Sequence, residues 1–379
     1  MNFEFSEEQK MIRQAARDFS KKLEADVIER DYKAEYPAHH IKELAELGFL
    51  GMITSPEYGG GGMDSISYLL AMEEISRVDS AVAVIMSVHN SLVLAGLEKY
   101  GTEEQKRKYI PRMVTGEHIG AFLLSEPEAG SDATSQKTTA EDKGDYYLVN
   151  GTKNWITSGN TASVYIVIAQ THPEKRHHGI NALIVDRHSP GISCGQHEDK
   201  MGMRSSDTHS VMFTDVKVPK ENRIGEDGFG FTFAMKALEG GRISIAAQAV
   251  GIAQGAFERA LSYSKERKAF GKFISEHQSI AFKLADMAVK IENARNLVLK
   301  AGWLKDNGKP YGMLSAMAKL YAADMALEVT SEAVQIHGGY GYVKEYHVER
   351  LMREAKLTQI YEGTSEIQKI VISRLLLRD

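Results

Sequence analysis

A single cysteine, Cys194, in 379 residues rules out an internal disulfide and a thiolate metal cluster, and it fits a reducing compartment. An excess of one charge is also missing. Forty-six basic against fifty-one acidic residues leave a net charge of −5, which argues against a surface that holds nucleic acid by bulk electrostatics. No clean apolar run of the ~20 residues needed for a membrane span occurs. The most apolar window, 81–97, is interrupted by Ser87, His89, Asn90 and Ser91 and is expected to be a buried core helix. The first nine residues carry acidic groups where a signal peptide needs a basic start and an apolar stretch. The chain is therefore expected not to be exported, with a bacterial cytoplasm as its setting or, for a processed organelle protein, the mitochondrial matrix.

What is present is an ordinary globular composition, 43% apolar and 26% charged, in a chain long enough for two or three domains. Ser6 and Gln9 have capping-box spacing, and Met11, Ile12, Ala15, Ala16, Phe19 and Leu23 then recur on one helical face. Leu44, Leu47 and Leu50 predict a second helix after Pro37, and Ile66, Leu69, Leu70 and Ile75 a third beyond the glycine break at 59–62. Thr102 and Gln105 repeat the capping-box pattern.

After about Gly120 the rhythm becomes that of strands. Residues 146–149 run into Asn150-Gly151, a strong hairpin signal, and 153–157 read as the return strand. Residues 164–169, 180–185 and 211–218 are further strands between turn clusters, so the expected sheet is antiparallel, as a barrel or sandwich. Alanine-rich helical periodicity returns through 243–261, 280–304 and 314–336 and predicts a four-helix-bundle-type packing. The fold class is thus α+β multidomain, with a helical domain at 1–119, a β domain at 120–230 and a second helical domain at 231–379.

Generic motifs do not name a reaction. Gly225, Gly228 and Gly230 form a reversed dinucleotide fingerprint without its strand-to-helix setting, and the glycines at 59–62 lack the Lys-Ser/Thr pair of a phosphate loop. His39-His40 and His177-His178 are adjacent pairs whose side chains diverge, so no metal site is expected. Ser262 and Lys265 have the spacing of a serine–lysine pair, but its companion motifs are missing.

Chemistry enters at the domain junctions. The segment Leu123-Leu124-Ser125-Glu126-Pro127-Glu128-Ala129-Gly130-Ser131-Asp132 is rich in hydroxyls and backbone donors. It is followed, in order, by Trp155-Ile156-Thr157-Ser158-Gly159, Arg267-Lys268-Ala269-Phe270-Gly271, Gln335-Ile336-His337-Gly338-Gly339 and Ile360-Tyr361-Glu362-Gly363-Thr364-Ser365-Glu366-Ile367-Gln368. Together these motifs closely resemble the acyl-CoA dehydrogenase family, over essentially the whole chain. The runs 87–92, 124–132 and 353–368 are most similar to its short-chain, butyryl-CoA members.

The resemblance implies FAD held between the β domain and the second helical domain. Phe122, Leu124, Ser125 and Ser131, with Trp155, Ile156 and Thr157, would line the isoalloxazine. Arg267 and Gln278, together with Gln335, Ile336, Gly338 and Gly339, would reach the FAD of a neighbouring subunit in a homotetramer built as a dimer of dimers, and Phe270 would also bind the cofactor. Thr364 and Glu366 would also contact the cofactor. Arginine suits a pyrophosphate and glycine permits close backbone approach, which is consistent with these positions.

The resemblance further implies that Glu362 is the catalytic base, removing the α-proton of an acyl-CoA while the β-hydride goes to the flavin. Its backbone amide would polarise the thioester, and electrons would pass to electron-transferring flavoprotein. Ser131, Glu239, Gly240, Gly241, Arg242, Tyr361 and Gly363 would contact acyl-CoA. Glu239 departs from the aspartate common in the family, and Ser125 from its frequent threonine. Members acting on isovaleryl-type substrates carry the base on the helix of Glu239, but they lack a glutamate at the place of Glu362. Two other readings are an acyl-CoA oxidase, usually a longer chain, and a flavin-free or DNA-associated scaffold.

Overall fold

A computed structural model describes residues 4–377; residues 1–3 and 378–379, the outer ends of the two expected helical domains, lie outside the described residues. Helices α1 (Glu7–Leu23), α2 (Val27–Lys33), α3 (Ala38–Glu46), α4 (Ser65–Ser76), α5 (Ser80–Ser87), α6 (Ala95–Tyr100) and α7 (Glu103–Val114) build the first helical layer. Both expected capping boxes form. Ser6 Oγ accepts from Gln9 N at 3.1 Å and Thr102 Oγ1 from Gln105 N at 3.2 Å, each answered by the glutamine side chain on the cap amide.

The apolar run Ser80–Tyr100 is the one described helical stretch long and apolar enough to cross a membrane, and 94% of its apolar window is buried inside the protein. It is a core helix with a π-helical stretch, Val88–Leu94, between α5 and α6. Such an interruption turns successive side chains away from regular helical phase.

Strands β1 (Gly120–Leu123), β2 (Thr139–Asp142), β3 (Tyr146–Thr157), β4 (Val164–Gln170), β5 (Ile180–Asp186), β6 (Ile192–Cys194), β7 (Thr208–Pro219) and β8 (Arg223–Ile224) form one sheet. Its order is β6-β7-β3-β2-β4-β5-β8, with β1 also on β4. The expected all-antiparallel arrangement is corrected. β1 and β2 both pair parallel to β4, because β1 arrives from α7 rather than from a hairpin.

The predicted hairpin at Asn150-Gly151 is likewise absent. β3 runs straight through it with a register shift against β7 between Val149 and Gly151. Asn150 spends its amide across the strands, Oδ1 accepting from Asp215 N at 2.8 Å and Nδ2 donating to Asp215 Oδ1 at 3.0 Å. Gly151 takes φ +142, and a β-carbon there would meet Thr138 Cα at 2.6 Å. The dipeptide therefore marks a bulge with close backbone approach, another structure that this pair of residues suits.

β4 is buried on both faces. Val164, Ile166 and Ile168 join the helical core, while Tyr165, Val167 and Ala169 join a second core with Tyr147, Phe213 and Val218. That explains its unbroken apolar run.

The last layer holds α8 (Gly230–Glu266), a short pair β9 (Lys268–Ala269) and β10 (Lys272–Phe273), α9 (Gln278–Asp306), α10 (Gly312–His337), α11 (Val348–Thr358) and α12 (Ser365–Leu376). At the start of α12 the sequence also gives Ser365 and Gln368 capping-box spacing, but that box does not form. Thr364, not Ser365, accepts from the backbone, at Ile367 N. Ser365 Oγ instead donates to Asp324 Oδ1 at 3.2 Å, and Gln368 turns back to the loop before the helix.

Candidate active site

Glu362 sits in the tight loop between α11 and α12, with φ +52, followed by Gly363 at φ +92. A left-handed residue with a β-carbon is disfavoured and persists only where its surroundings hold it. Here the hold is visible. Gly363 O accepts from Lys319 Nζ at 2.7 Å and from Gln368 Nε2 at 2.8 Å, and Ser365 N donates to Gln359 O at 2.9 Å.

The loop delivers the carboxylate against the middle of α8. A methyl group at position 241 would lie 2.1 Å from Glu362 Oε2 and 2.8 Å from Leu92 Cδ2, whereas at Gly240 nothing lies within 4 Å. Both carboxylate oxygens are closed off from solvent and have no hydrogen-bond partner, although part of the residue's surface is open. Burial pushes Glu362 up to about 7, opposed by Lys319 and then Arg242. Burial also lowers Arg242, with Glu239 and Glu362 pulling the other way, and its Nε is unpartnered.

Around this centre Tyr361 donates its hydroxyl to Gln248 Oε1, and Gln248 Nε2 donates to Ser80 O at 2.7 Å. Tyr68, buried and without a hydrogen bond from its hydroxyl, is raised to about 12 by burial, and the Glu362 charge adds to that. Glu239 has a different environment. Its carboxylate is part-exposed, pairs with Lys236 at 3.2 Å and lies over Gly312.

A second group gathers at one edge of the sheet. Phe122 stacks on Phe233 of α8, with ring centroids 6.3 Å apart. The loop after β1 is pinned to β3: Asn154 N donates to Ser125 O at 2.8 Å, and Lys153 Nζ donates to Leu124 O at 3.1 Å and Glu126 Oε1 at 2.7 Å. Glu126 also accepts from Thr138 N at 3.0 Å, and the ion pair is fully buried. Trp155 has φ +61 at a break in register between Lys153 and Ile156, which leaves its indole 61% exposed beside buried Ile156. Ser131 is exposed and Thr157 half-buried.

The third group lies elsewhere. Arg267, Ile336, Gly338 and Gly339 line an open cavity of about 640 Å³ with Tyr263 and Tyr340. The Arg267 guanidinium stands 5.6 Å over the Tyr340 ring. Glycines 338 and 339 would meet nothing within 4 Å as alanines, so the backbone there is open. Gln278 begins α9, Gln335 is exposed on α10, and Phe270 is 96% exposed at the β9–β10 turn.

Gly241 is on α8 and Arg267 is the residue that caps its C-terminal end, 26 positions on, which at 1.5 Å per residue is about 39 Å. One chain thus does not bring the third group to the first. Residues that sequence reasoning missed are Lys319, Gln368 and Leu92. A lone lysine between Ala316, Ala318, Ala322 and Ala323 was the available signal for Lys319. Among the described residues no group of three or more His, Cys, Asp or Glu side chains is arranged to hold a metal.

Three family models cover the chain: acyl-CoA dehydrogenase N-terminal domain at residues 6–117, middle domain at 121–216 and C-terminal domain at 228–377. The short-chain specific acyl-CoA dehydrogenase of Clostridium acetobutylicum is 47% identical over 379 residues, all of both chains. The caffeyl-CoA reductase-Etf complex subunit CarC of Acetobacterium woodii is 47% identical, covering 99% of each chain. The solved butyryl-CoA dehydrogenase of Megasphaera elsdenii is 48% identical, with a TM-score of 0.98 over 100% of both chains.

Proposed function

The chain belongs to the acyl-CoA dehydrogenase family, and from that premise we propose that it is an FAD-dependent oxidoreductase desaturating a short- to medium-chain acyl-CoA to the trans-2-enoyl-CoA. The observation that carries this reading is the Glu362 carboxylate, dry, unpartnered and titrating near neutrality. A thioester α-hydrogen is a weak acid, and an ideal general base lies near the working pH. Lysine and arginine nearby keep the carboxylate ionisable, while burial keeps it basic. Glu239, part-exposed and paired with Lys236, lacks that environment, which favours Glu362 over it as the base.

The residues present fit the cofactor. Exposed Trp155 and the hydroxyls of Ser125 and Thr157 suit the face of a planar ring with polar edges, and buried Phe122, Leu124 and Ile156 back them. Thr364, the cap of α12, and Glu366, in its first turn, stand close after the base in the chain. When bound, FAD supplies the acceptor for the β-hydride. The chain's own part is to orient and deprotonate. The Glu362 N–H forms no hydrogen bond among the described residues and is free to polarise a thioester carbonyl. Ser131, Glu239, Gly240, Gly241, Arg242, Tyr361 and Gly363 make up the acyl-CoA face.

The cluster of Arg267, Phe270, Gln278, Gln335, Ile336, Gly338 and Gly339 gathers beyond the C-terminal end of α8, about 39 Å from Gly241, a separation that supports a role at the cofactor of a second copy. That supports a homotetramer, while domain limits at 119/120 and 230/231 are supported by the ends of the three family matches. The short-chain names of relatives support a short acyl group, and the Etf complex subunit among them supports electron-transferring flavoprotein as acceptor.

The test is Glu362→Gln. The protein is expected to stay yellow and to lose about 10²–10⁴-fold in flavin reduction by butyryl-CoA. In the unaltered protein that rate should fall as pH drops through about 7, because protonation removes the base. Reduction retained by the variant would mean that another group takes the proton.

A further inference from the structure

Lys319 lies in the interior of α10 and its side chain is fully buried. A buried ammonium is expensive unless paired, and Lys319 has no carboxylate within ion-pair distance among the described residues. Its one hydrogen bond goes to a peptide carbonyl, Gly363 O, at 2.7 Å. That carbonyl directly follows Glu362, in a turn where both residues are left-handed. Gln368 Nε2 is the second donor to the same oxygen, so two side chains from different helices converge on one carbonyl.

We propose that Lys319 is a positioning residue for Glu362: its hydrogen bond to Gly363 O fixes the turn that seats the carboxylate on Gly241, and its buried positive charge faces that carboxylate. The inference rests on Glu362 being the base. Charge balance around the pair supports it. Glu362 is pushed up to about 7 by burial, and of the two cations that oppose this, Lys319 has the larger effect and Arg242 the smaller. Lys319 in turn is lowered to about 8 by burial, with Glu362, Asp324 and Glu366 raising it and Arg242 lowering it. Tyr68 and Tyr361 face the same carboxylate and are raised by burial, so they stay neutral. Gly363 carries no side chain that could replace the tether, and a β-carbon there would meet Gln368 Nε2 at 2.7 Å.

Three substitutions separate tether from charge. Lys319→Arg keeps both, Lys319→Gln keeps a donor without the charge, and Lys319→Met removes both. Each is made in the FAD-loaded protein and followed by the pH profile of flavin reduction by butyryl-CoA. A second readout is the pH at which the protonated Glu362 carboxyl band appears in the infrared difference against Glu362→Gln. Lys319→Gln is expected to move the kinetic and infrared midpoints upward together by about 1–3 pH units, the effect of losing a nearby opposite charge. Lys319→Met should do the same and lower the plateau rate by about 10²-fold through misplacement of the base. Lys319→Arg should hold both midpoints.

Unmoved midpoints in Lys319→Gln and Lys319→Met overturn the proposal, even if the rate falls, since a packing role alone would lower the rate without shifting them. If Lys319→Met fails to fold, the infrared titration of Lys319→Gln decides. Flavin reduction surviving in Glu362→Gln would instead sink the assignment of the base, a failure separate from this one.

Discussion

Gly241 and Glu362 share one space: a methyl group on the glycine would stand 2.1 Å from the glutamate's Oε2 and 3.0 Å from its Cδ. The carboxylate is thus seated on bare helix backbone, between α8 and the loop before α12. Gly241→Ala should push it out of place while the helix, if anything, gains from alanine. A loss of about 10²-fold in flavin reduction is expected, with flavin content unchanged. Gly240→Ala, where the added carbon meets no protein atom within 4 Å, is the comparison: it adds bulk to the acyl-CoA face and should raise KM, but it leaves the carboxylate in place, so the rate at saturating substrate should stay close to the unaltered one. Equal rates in the two variants would show that the carboxylate is not held by this contact.

The buried pair Lys153–Glu126, 2.7 Å apart with neither side chain exposed, ties the loop after β1 to β3. Breaking one partner leaves a buried charge uncompensated, so Lys153→Met or Glu126→Gln alone should cost about 3–5 kcal/mol. The double variant should lose much less than the sum, and a urea unfolding cycle measures the difference. FAD should dissociate more readily from the single variants, because Ser125 and Leu124 sit on the released loop. Additive losses would mean that the two groups do not act as a pair.

His89 is fully buried in the π-helical stretch. Its Nδ1 accepts from Gly120 N at 3.1 Å, so Nε2 carries the proton donated to Met113 O at 3.0 Å. Burial lowers it to about 4, against 6.5 for the free side chain. Between those values the unfolded chain holds a proton that the folded one lacks, so stability falls as pH drops from 6.5 towards 4. The loss should reach about 3 kcal/mol near pH 4. His89→Gln should flatten that part of the profile in urea unfolding measured from pH 7 to 4. An unchanged slope would assign the acid sensitivity to other groups.

Much of this was legible in the sequence because it depends on local rules. The capping boxes at Ser6 and Thr102, the core helix at 81–97, the strands at 164–169 and 180–185 and the long helices follow from spacing and period. The family motifs then pointed to Glu362, Gly241 and Arg242. The errors came where one local signal admits two structures. Asn150-Gly151 serves a hairpin or a bulge, and the choice fell to Asp215 on β7. Thr364 and Ser365 are both competent caps, and Asp324 on α10 drew Ser365 away.

The sequence alone determined the kinds of groups available: one carboxylate before a glycine, paired glycines on an alanine-rich helix, a lone lysine among small residues. Only the tertiary structure decided that these meet. Whether a carboxylate is a solvated helix-end charge or a dry base near neutrality depends on what is packed against it. Here that is Gly241, Leu92, Arg242 and Lys319, which stand 121, 270, 120 and 43 positions away in the chain. Desolvation and through-space charge are properties of neighbours in space, and no local pattern in the sequence encodes them.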